Sequence, residues 1–207
     1  MAGHYKYMSI FGVILAGGEG TRFGCVDKAA LRLKNMPLVH HLVSRLDSQT
    51  AQIALVGQTN APLPQAVIHL SDGYDPPIGP LGGIYAGAKW ASDLSDRPCH
   101  YWILTAPVDG PIFPTDFVQH AEPMMAARTP IIARYGNDLY PICGLWPLKM
   151  ALDIPAQLEK QNGYALRPML RALRAQEIDF QQFYPQNPFA NANKMSDLLA
   201  LSRQLQR

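Results

Sequence analysis

Two rhythms of apolar residues run through the chain. Short blocks of mostly branched residues, bounded by Gly, Pro, Asn or Asp, predict buried strands, and stretches with apolar positions three and four apart predict helices. The strand blocks are Val13-Ile14-Leu15-Ala16, 53–56, 66–70, 101–105, 131–135, 140–146 and 178–183. One helical stretch takes in Leu38, His41, Leu42, Arg45 and Leu46, and the others cover 81–94, 115–127, 149–161, 167–175 and 195–206. Pro37 suits the first turn of the earliest helix, where a backbone N–H has no intrahelical partner to lose. Asn35-Met36-Pro37 supplies a turn after the apolar segment 29–33, and Thr115 is placed to cap the helix it opens.

Alternation of strand and helix predicts a mostly parallel sheet with helices on both faces, a three-layer α/β fold. The blocks 131–135 and 140–146, joined by Gly136-Asn137-Asp138, predict a hairpin that interrupts that alternation. Open α/β sheets bind ligands outside the carboxyl ends of their strands. Two loops therefore stand out, the one after Ala16 and the one from Ser71 to Gly83, which reads Ser-Asp-Gly-Tyr-Asp-Pro-Pro-Ile-Gly-Pro-Leu-Gly-Gly. Gly82, Gly83 and Gly87 in the helix that follows allow it to approach the sheet or a ligand closely.

The first loop runs Gly17-Gly18-Glu19-Gly20-Thr21-Arg22-Phe23-Gly24-Cys25-Val26-Asp27-Lys28. Glycines let backbone N–H groups converge on a phosphate, and Arg22 and Lys28 add positive charge. Two familiar phosphate loops fail on spacing. A Walker A loop needs Gly-Lys-Ser/Thr at its end, and a dinucleotide fingerprint needs a third Gly where Phe23 stands.

What remains is Leu-Ala-Gly-Gly-x-x-x-Arg-x-Gly-x-x-x-Lys from Leu15 to Lys28, which resembles the signature of the molybdenum cofactor guanylyltransferase family of nucleotidyltransferases. The likeness continues through Asp72 and Gly79-Pro80-Leu81, through Asp109 after an apolar strand, and through Asn191-Ala192-Asn193. Departures are Val56 where the family has Asn, with Gln58 the nearest substitute; Gly110 between Asp109 and Pro111; and Lys194-Met195 where Thr-Pro is usual.

The resemblance implies a single nucleotidyltransferase domain over 1–207, with a tail at 1–10 and a Rossmann-like N-terminal half, of the nucleotide-diphospho-sugar transferase type. It implies transfer of GMP from GTP to molybdopterin-bound molybdenum cofactor, with release of pyrophosphate. Leu15, Ala16, Gly17, Gly18, Lys28, Asp72, Asp109 and Asn193 would bind nucleotide and metal. Arg22, Lys28 and Asp109 would be catalytic, with Asp109 holding Mg²⁺. Molybdenum-insertion and molybdoenzyme-maturation proteins would be its partners. A molybdopterin cytidylyltransferase is disfavoured by Gly17, where that group has Ala, and a sugar-phosphate nucleotidylyltransferase by the short interval from Arg22 to Lys28. A non-catalytic GTP-binding protein would have no specific need of Asp109.

Composition narrows the picture further. The 207 residues suit one α/β core, and with 48% hydrophobic residues and a formal charge of +2 neither disorder nor a nucleic-acid footprint is expected. No stretch reaches the roughly 18 apolar residues of a membrane span, and residues 1–8 lack a signal-like apolar segment, so a cytoplasmic location is expected. Cys25, Cys99 and Cys143 have no disulfide or zinc spacing. His40 and His41 are neighbours on a helix, about 100° apart, and cannot share one ion. Arg167, Arg171 and Arg174 form a basic stripe, for which a solvated face is the commoner explanation, though it would suit an anionic pterin phosphate if it faces the cleft. Trp146 stands where the family's acceptor-side strand ends in an aromatic residue, and core packing is the equal alternative.

Overall fold

The computed structural model describes residues 10–16, 27–74, 77–161 and 163–204. Gly17, Gly18, Arg22 and Cys25 lie outside the described residues. In chain order the described elements are β1 (Ile10–Leu15), β2 (Arg32–Leu33), β3 (Met36–Pro37), α1 (Leu38–Leu46), β4 (Ile53–Val56), β5 (Val67–Leu70), α2 (Pro80–Asp93), β6 (Trp102–Pro107), α3 (Phe117–Ala121), β7 (Ile131–Tyr135), β8 (Asp138–Pro147), α4 (Leu148–Leu152), α5 (Ile154–Gln161), α6 (Leu166–Ala172), β9 (Gln176–Asp179) and α7 (Met195–Gln204).

Among the described residues seven strands form one sheet in the order β5-β4-β1-β6-β8-β7-β9. The first four are mutually parallel, β8 runs antiparallel to both β6 and β7, and β9 is parallel to β7. This is a mostly parallel sheet with a Rossmann-like N-terminal half.

Side chains that alternate along each strand feed two cores. Ile10, Ile14, Leu55 and Leu104 face α1 through Val39, Leu42 and Leu46. Phe11, Val13, Val56 and Ile103 face α2 through Leu81, Ile84 and Ala88. Each such side chain contributes about 1.5–3 kcal/mol on burial, which fixes strand register, because a slip of one residue would exchange the two faces. Helix α2 lies unusually close to β1. A Cβ on Gly87 would fall 2.6 Å from Val13 Cγ1, and one on Gly83 would fall 2.7 Å from Leu15 Cδ2.

From β1 the chain moves outward to β4 and β5, then returns to the other side of β1 as β6. The ends of β1 and β6 therefore form the switch point at which an α/β sheet opens a crevice. Leu15 pairs with Pro107 there, and the Val108 N–H donates to the Leu15 carbonyl at 3.0 Å.

Several elements differ from their sequence reading. β1 begins at Ile10, so that residue belongs to the sheet rather than to a tail. Segment 32–37 is a small ribbon turning on Lys34 and Asn35, whose φ of 48° and 64° suit a two-residue hairpin, and Pro37 precedes α1 instead of opening it. β4 and β5, by contrast, are joined as the sequence reads, by a loop containing Pro62 and Pro64. Thr115 caps nothing: α3 starts after Asp116 and passes into a 3₁₀ turn at Glu122–Ala127 that contains Pro123. The long helix expected over 149–161 is broken at Asp153, since Pro155 has no N–H to donate into a preceding turn. α6 ends at Ala172, with Arg174 left-handed at φ 53° and the Ala175 N–H closing on the Leu170 carbonyl. The last strand is Gln176–Asp179, after which Asp179 caps a 3₁₀ turn by accepting from the Gln181 N–H.

Candidate active site

A cleft of about 340 Å³ opens at the switch point. The carboxyl ends of four parallel strands supply its floor: Leu15 and Ala16 after β1, Val56 and Gln58 after β4, Asp72 after β5, and Pro107, Val108 and Asp109 after β6. Gly79, Pro80 and Gly83 bring in the start of α2, Ile142 comes from β8, and Asn191 from the segment before α7.

Lys28 is the hub of the cleft's charge. Its Nζ donates to Asp109 Oδ2 at 2.6 Å and to Asn193 Oδ1 at 2.9 Å. Asp109 is only 7% exposed, and a carboxylate so far removed from water needs a cationic or hydrogen-bonding partner. Lys28 holds its place through its neighbour Asp27. The Asp27 carboxylate accepts from the Ala29 N–H at 3.0 Å, from Thr59 Oγ1 at 2.8 Å and from the Asn60 N–H at 2.6 Å. It thus ties the end of the glycine loop to the β4–β5 connection. Nothing local in the sequence singles out Asp27, because two of its partners lie more than thirty residues away.

Across the cleft, the Ala192 N–H donates to the Asp109 carbonyl at 2.8 Å and fastens the asparagine segment to the loop after β6. Asn191 Oδ1 is buried without a hydrogen-bond partner among the described residues. It would sit 3.7 Å from a Cβ on Gly110, so the glycine after Asp109 keeps the space beside that oxygen open. Asn191 and the Asp109 carboxylate line the same cleft, and Asn193 Oδ1 meets Asp109 through Lys28, so the donors gathered here are all oxygens. That composition fits Mg²⁺, which takes one or two carboxylates and completes its shell with water and substrate phosphate. No group of three or more His, Cys, Asp or Glu side chains assembles among the described residues, so any such ion depends on those further ligands.

Asp72 sits against Gly82 in the first turn of α2. Its Oδ1 accepts from the Tyr74 N–H at 3.2 Å, and the amino end of a helix favours a carboxylate. Cys143 on β8 is fully buried, and its thiol is pushed far above the ordinary cysteine range by burial and, secondarily, by the charge on Asp109. It is held as a neutral, unreactive thiol.

The model of the MobA-like NTP transferase domain matches residues 12–178. The chain belongs to that family. It is 36% identical to a molybdenum cofactor guanylyltransferase of Cereibacter sphaeroides over 92% of this chain and 94% of the relative. Among solved structures it resembles the molybdopterin-guanine dinucleotide biosynthesis protein A of Archaeoglobus fulgidus, with a TM-score of 0.67 and 16% identity over 95% of this chain and 98% of that one. It also resembles the 2-C-methyl-D-erythritol 4-phosphate cytidylyltransferase of Thermus thermophilus, with a TM-score of 0.63 and 10% identity over 94% and 98% of the two chains. The fold is therefore that of the nucleotide-diphospho-sugar transferases, shared by enzymes named for different bases.

In this MobA-like transferase, Leu15, Ala16, Lys28, Asp72 and Asp109 all line the cleft, with Asn193 bonded to Lys28. Other candidates fall elsewhere. Arg167 and Arg171 border a separate groove beside Leu139 and Glu177, and Arg174 follows the end of α6, so the basic stripe does not face the cleft. Trp146 is fully buried in the α2-side core and pairs with Ile103, well before the cleft end of β6, whereas Ile142 on the same strand reaches the cleft. His40 and His41 each place Nε2 2.7 Å from a backbone carbonyl, of Pro62 and Leu33 respectively, and serve as structural ties. No described helix is long and apolar enough to cross a membrane.

Proposed function

We propose that this MobA-like transferase is a molybdenum cofactor guanylyltransferase, joining the GMP portion of GTP to the terminal phosphate of molybdopterin that carries molybdenum. The observation that carries this reading is the convergence of Lys28, Asp109 and Asn193 at the switch-point cleft. The name borne by relatives at 36% identity over most of the chain supports it.

In the proposed reaction an acceptor phosphate oxygen bonds to the α-phosphorus as the bond from that phosphorus to the β-phosphate oxygen breaks, and pyrophosphate leaves. The acceptor is already ionised near neutral pH, so no general base is needed. The demand is instead to bring two polyanions together, which positioning and fixed charge can meet. Lys28 would turn its ammonium to the triphosphate, joined by the amides of Gly17 and Gly18 and the guanidinium of Arg22. Asp109, Asn191 and Asn193 would hold Mg²⁺, which when bound neutralises charge on the phosphates. Asp72 would contact the nucleoside. Gln58 stands at the cleft mouth of β4, where its amide offers both a donor and an acceptor to guanine. The setting would be the cytoplasm, between molybdenum-insertion and molybdoenzyme-maturation proteins.

The test is to supply molybdopterin, Mg²⁺ and each nucleoside triphosphate separately and to measure pyrophosphate release. GTP alone should support release at a substantial rate. A preference for CTP would reassign the protein as a cytidylyltransferase, and GTP binding without release would make it a carrier.

A further inference from the structure

Helix α7 begins at Met195, which makes Lys194 its cap position, and a lysine side chain has no acceptor for the open N–H groups of a first helical turn. Asp197, three residues further on, reaches back over that turn. Its Oδ2 accepts from the Asn193 N–H at 3.0 Å and from the Lys194 N–H at 3.1 Å, the half of a capping box that an acidic residue supplies. With its own N–H held by that carboxylate, Asn193 turns its side chain the other way, to Lys28 Nζ at 2.9 Å.

We infer that Asp197 is a positioning residue for transfer, holding the Asn193 backbone so that its amide oxygen stays on Lys28 beside Asp109. Three consecutive backbone N–H groups are committed around this point. Ala192 donates to the Asp109 carbonyl, and Asn193 and Lys194 donate to Asp197. The segment is thereby strung between the loop after β6 and the start of α7. Helix α7 is itself anchored, since Leu198 and Leu201 are buried with Leu33 of β2 and Leu38 of α1, close behind Lys28 in sequence. Asp197 thus couples a well-packed helix to the one side chain that bridges from the asparagine segment to the Lys28–Asp109 pair. Without it Asn193 retains its chemistry and loses its fixed position.

This inference rests on the reading of Asn193 as part of the transfer site, and the experiment separates the two. Asp197→Ala, Asp197→Glu, Asn193→Ala and the Asn193→Ala/Asp197→Ala double variant are compared with the parent in GTP-dependent pyrophosphate release, at a temperature well below every variant's Tm. Asp197→Ala should lower kcat about tenfold with less than about a threefold change in KM for GTP, and Asp197→Glu, which keeps the reaching carboxylate, should restore most of the rate. The double variant should be no slower than Asn193→Ala alone, as expected of two residues acting through one contact. A helix cap with no part in transfer would lower Tm and leave kcat in place, and that result, or losses that multiply in the double variant, overturns the inference. Parental rates from Asn193→Ala would overturn both this inference and the functional reading beneath it.

Discussion

The ammonium of Lys28 stands 2.6 Å from the carboxylate of Asp109, 81 positions further along the chain, and the same ammonium bonds the amide oxygen of Asn193. Lys28 is thus the counter-ion of a nearly buried carboxylate. Its substitution therefore has two consequences.

Lys28→Ala should weaken GTP binding about tenfold or more through loss of a charge facing the triphosphate. It should also destabilise the free protein, because Asp109 is left uncompensated. Breaking a buried pair costs about 3–5 kcal/mol, and the Lys28 side chain is 25% exposed, so the loss should be smaller, about 1–3 kcal/mol. That corresponds to a fall in Tm of about 3–10 °C for a chain of this size. Calorimetry at one salt concentration, together with thermal unfolding, checks both parts.

Asp109→Asn keeps volume and removes charge. We expect kcat to fall by about a hundredfold or more, the scale of losing one transition-state stabiliser, with much less effect on GTP binding in the absence of metal. Tm should stay near the parental value, because an amide oxygen can still accept from Lys28. A stable variant with normal turnover at ordinary Mg²⁺ would remove Asp109 from the chemistry.

The closeness of α2 to β1 predicts different responses at three glycines. Gly87→Ala would drive a methyl group into Val13 and should cost about 1–3 kcal/mol by overpacking. Gly83→Ala should cost a similar amount and also weaken GTP binding, because the side chain it displaces, Leu15, lines the cleft. Gly163→Ala, with nothing within 4 Å of the added carbon, should be close to neutral. Denaturant unfolding of the three variants ranks them.

Cys143 sets an alkaline limit. Burial, and then the negative charge of Asp109, keep its thiol protonated in the folded protein, while in the unfolded chain it ionises near pH 8.5. The folded state then binds the extra proton, so this contribution to stability is intact below about pH 8.5 and declines as pH rises above it. Cys143→Ala should flatten the fall of Tm between about pH 8.5 and 10.5, whatever its effect at pH 7. An unchanged slope would contradict a protonated thiol at that site.

What the sequence determined by itself is whatever depends on neighbours a few residues apart. Runs of branched residues located Ile53–Val56 and Ile131–Tyr135 to the residue, and glycine and proline marked the loops at the strand ends. Since a strand's carboxyl end carries its loop into the crevice, Leu15, Ala16, Asp72 and Asp109 could be assigned to the cleft from local pattern and motif alone. Periodicity shows which face of an element is apolar but not which element covers it. The direction of the Arg167 stripe and the burial of Trp146 were therefore decided by packing. The ribbon at Arg32–Leu33 and Met36–Pro37 is too short to show alternation, and the break at Asp153 follows from a proline inside a pattern that otherwise stays helical. Tertiary structure alone brought Lys28 to Asp109 and Asn193, set Asp27 against Thr59 and placed Asn191 in the lining of the cleft. Those meetings depend on β1 and β6 lying side by side in the sheet, a choice made by the burial of two whole faces rather than by any residue in the site.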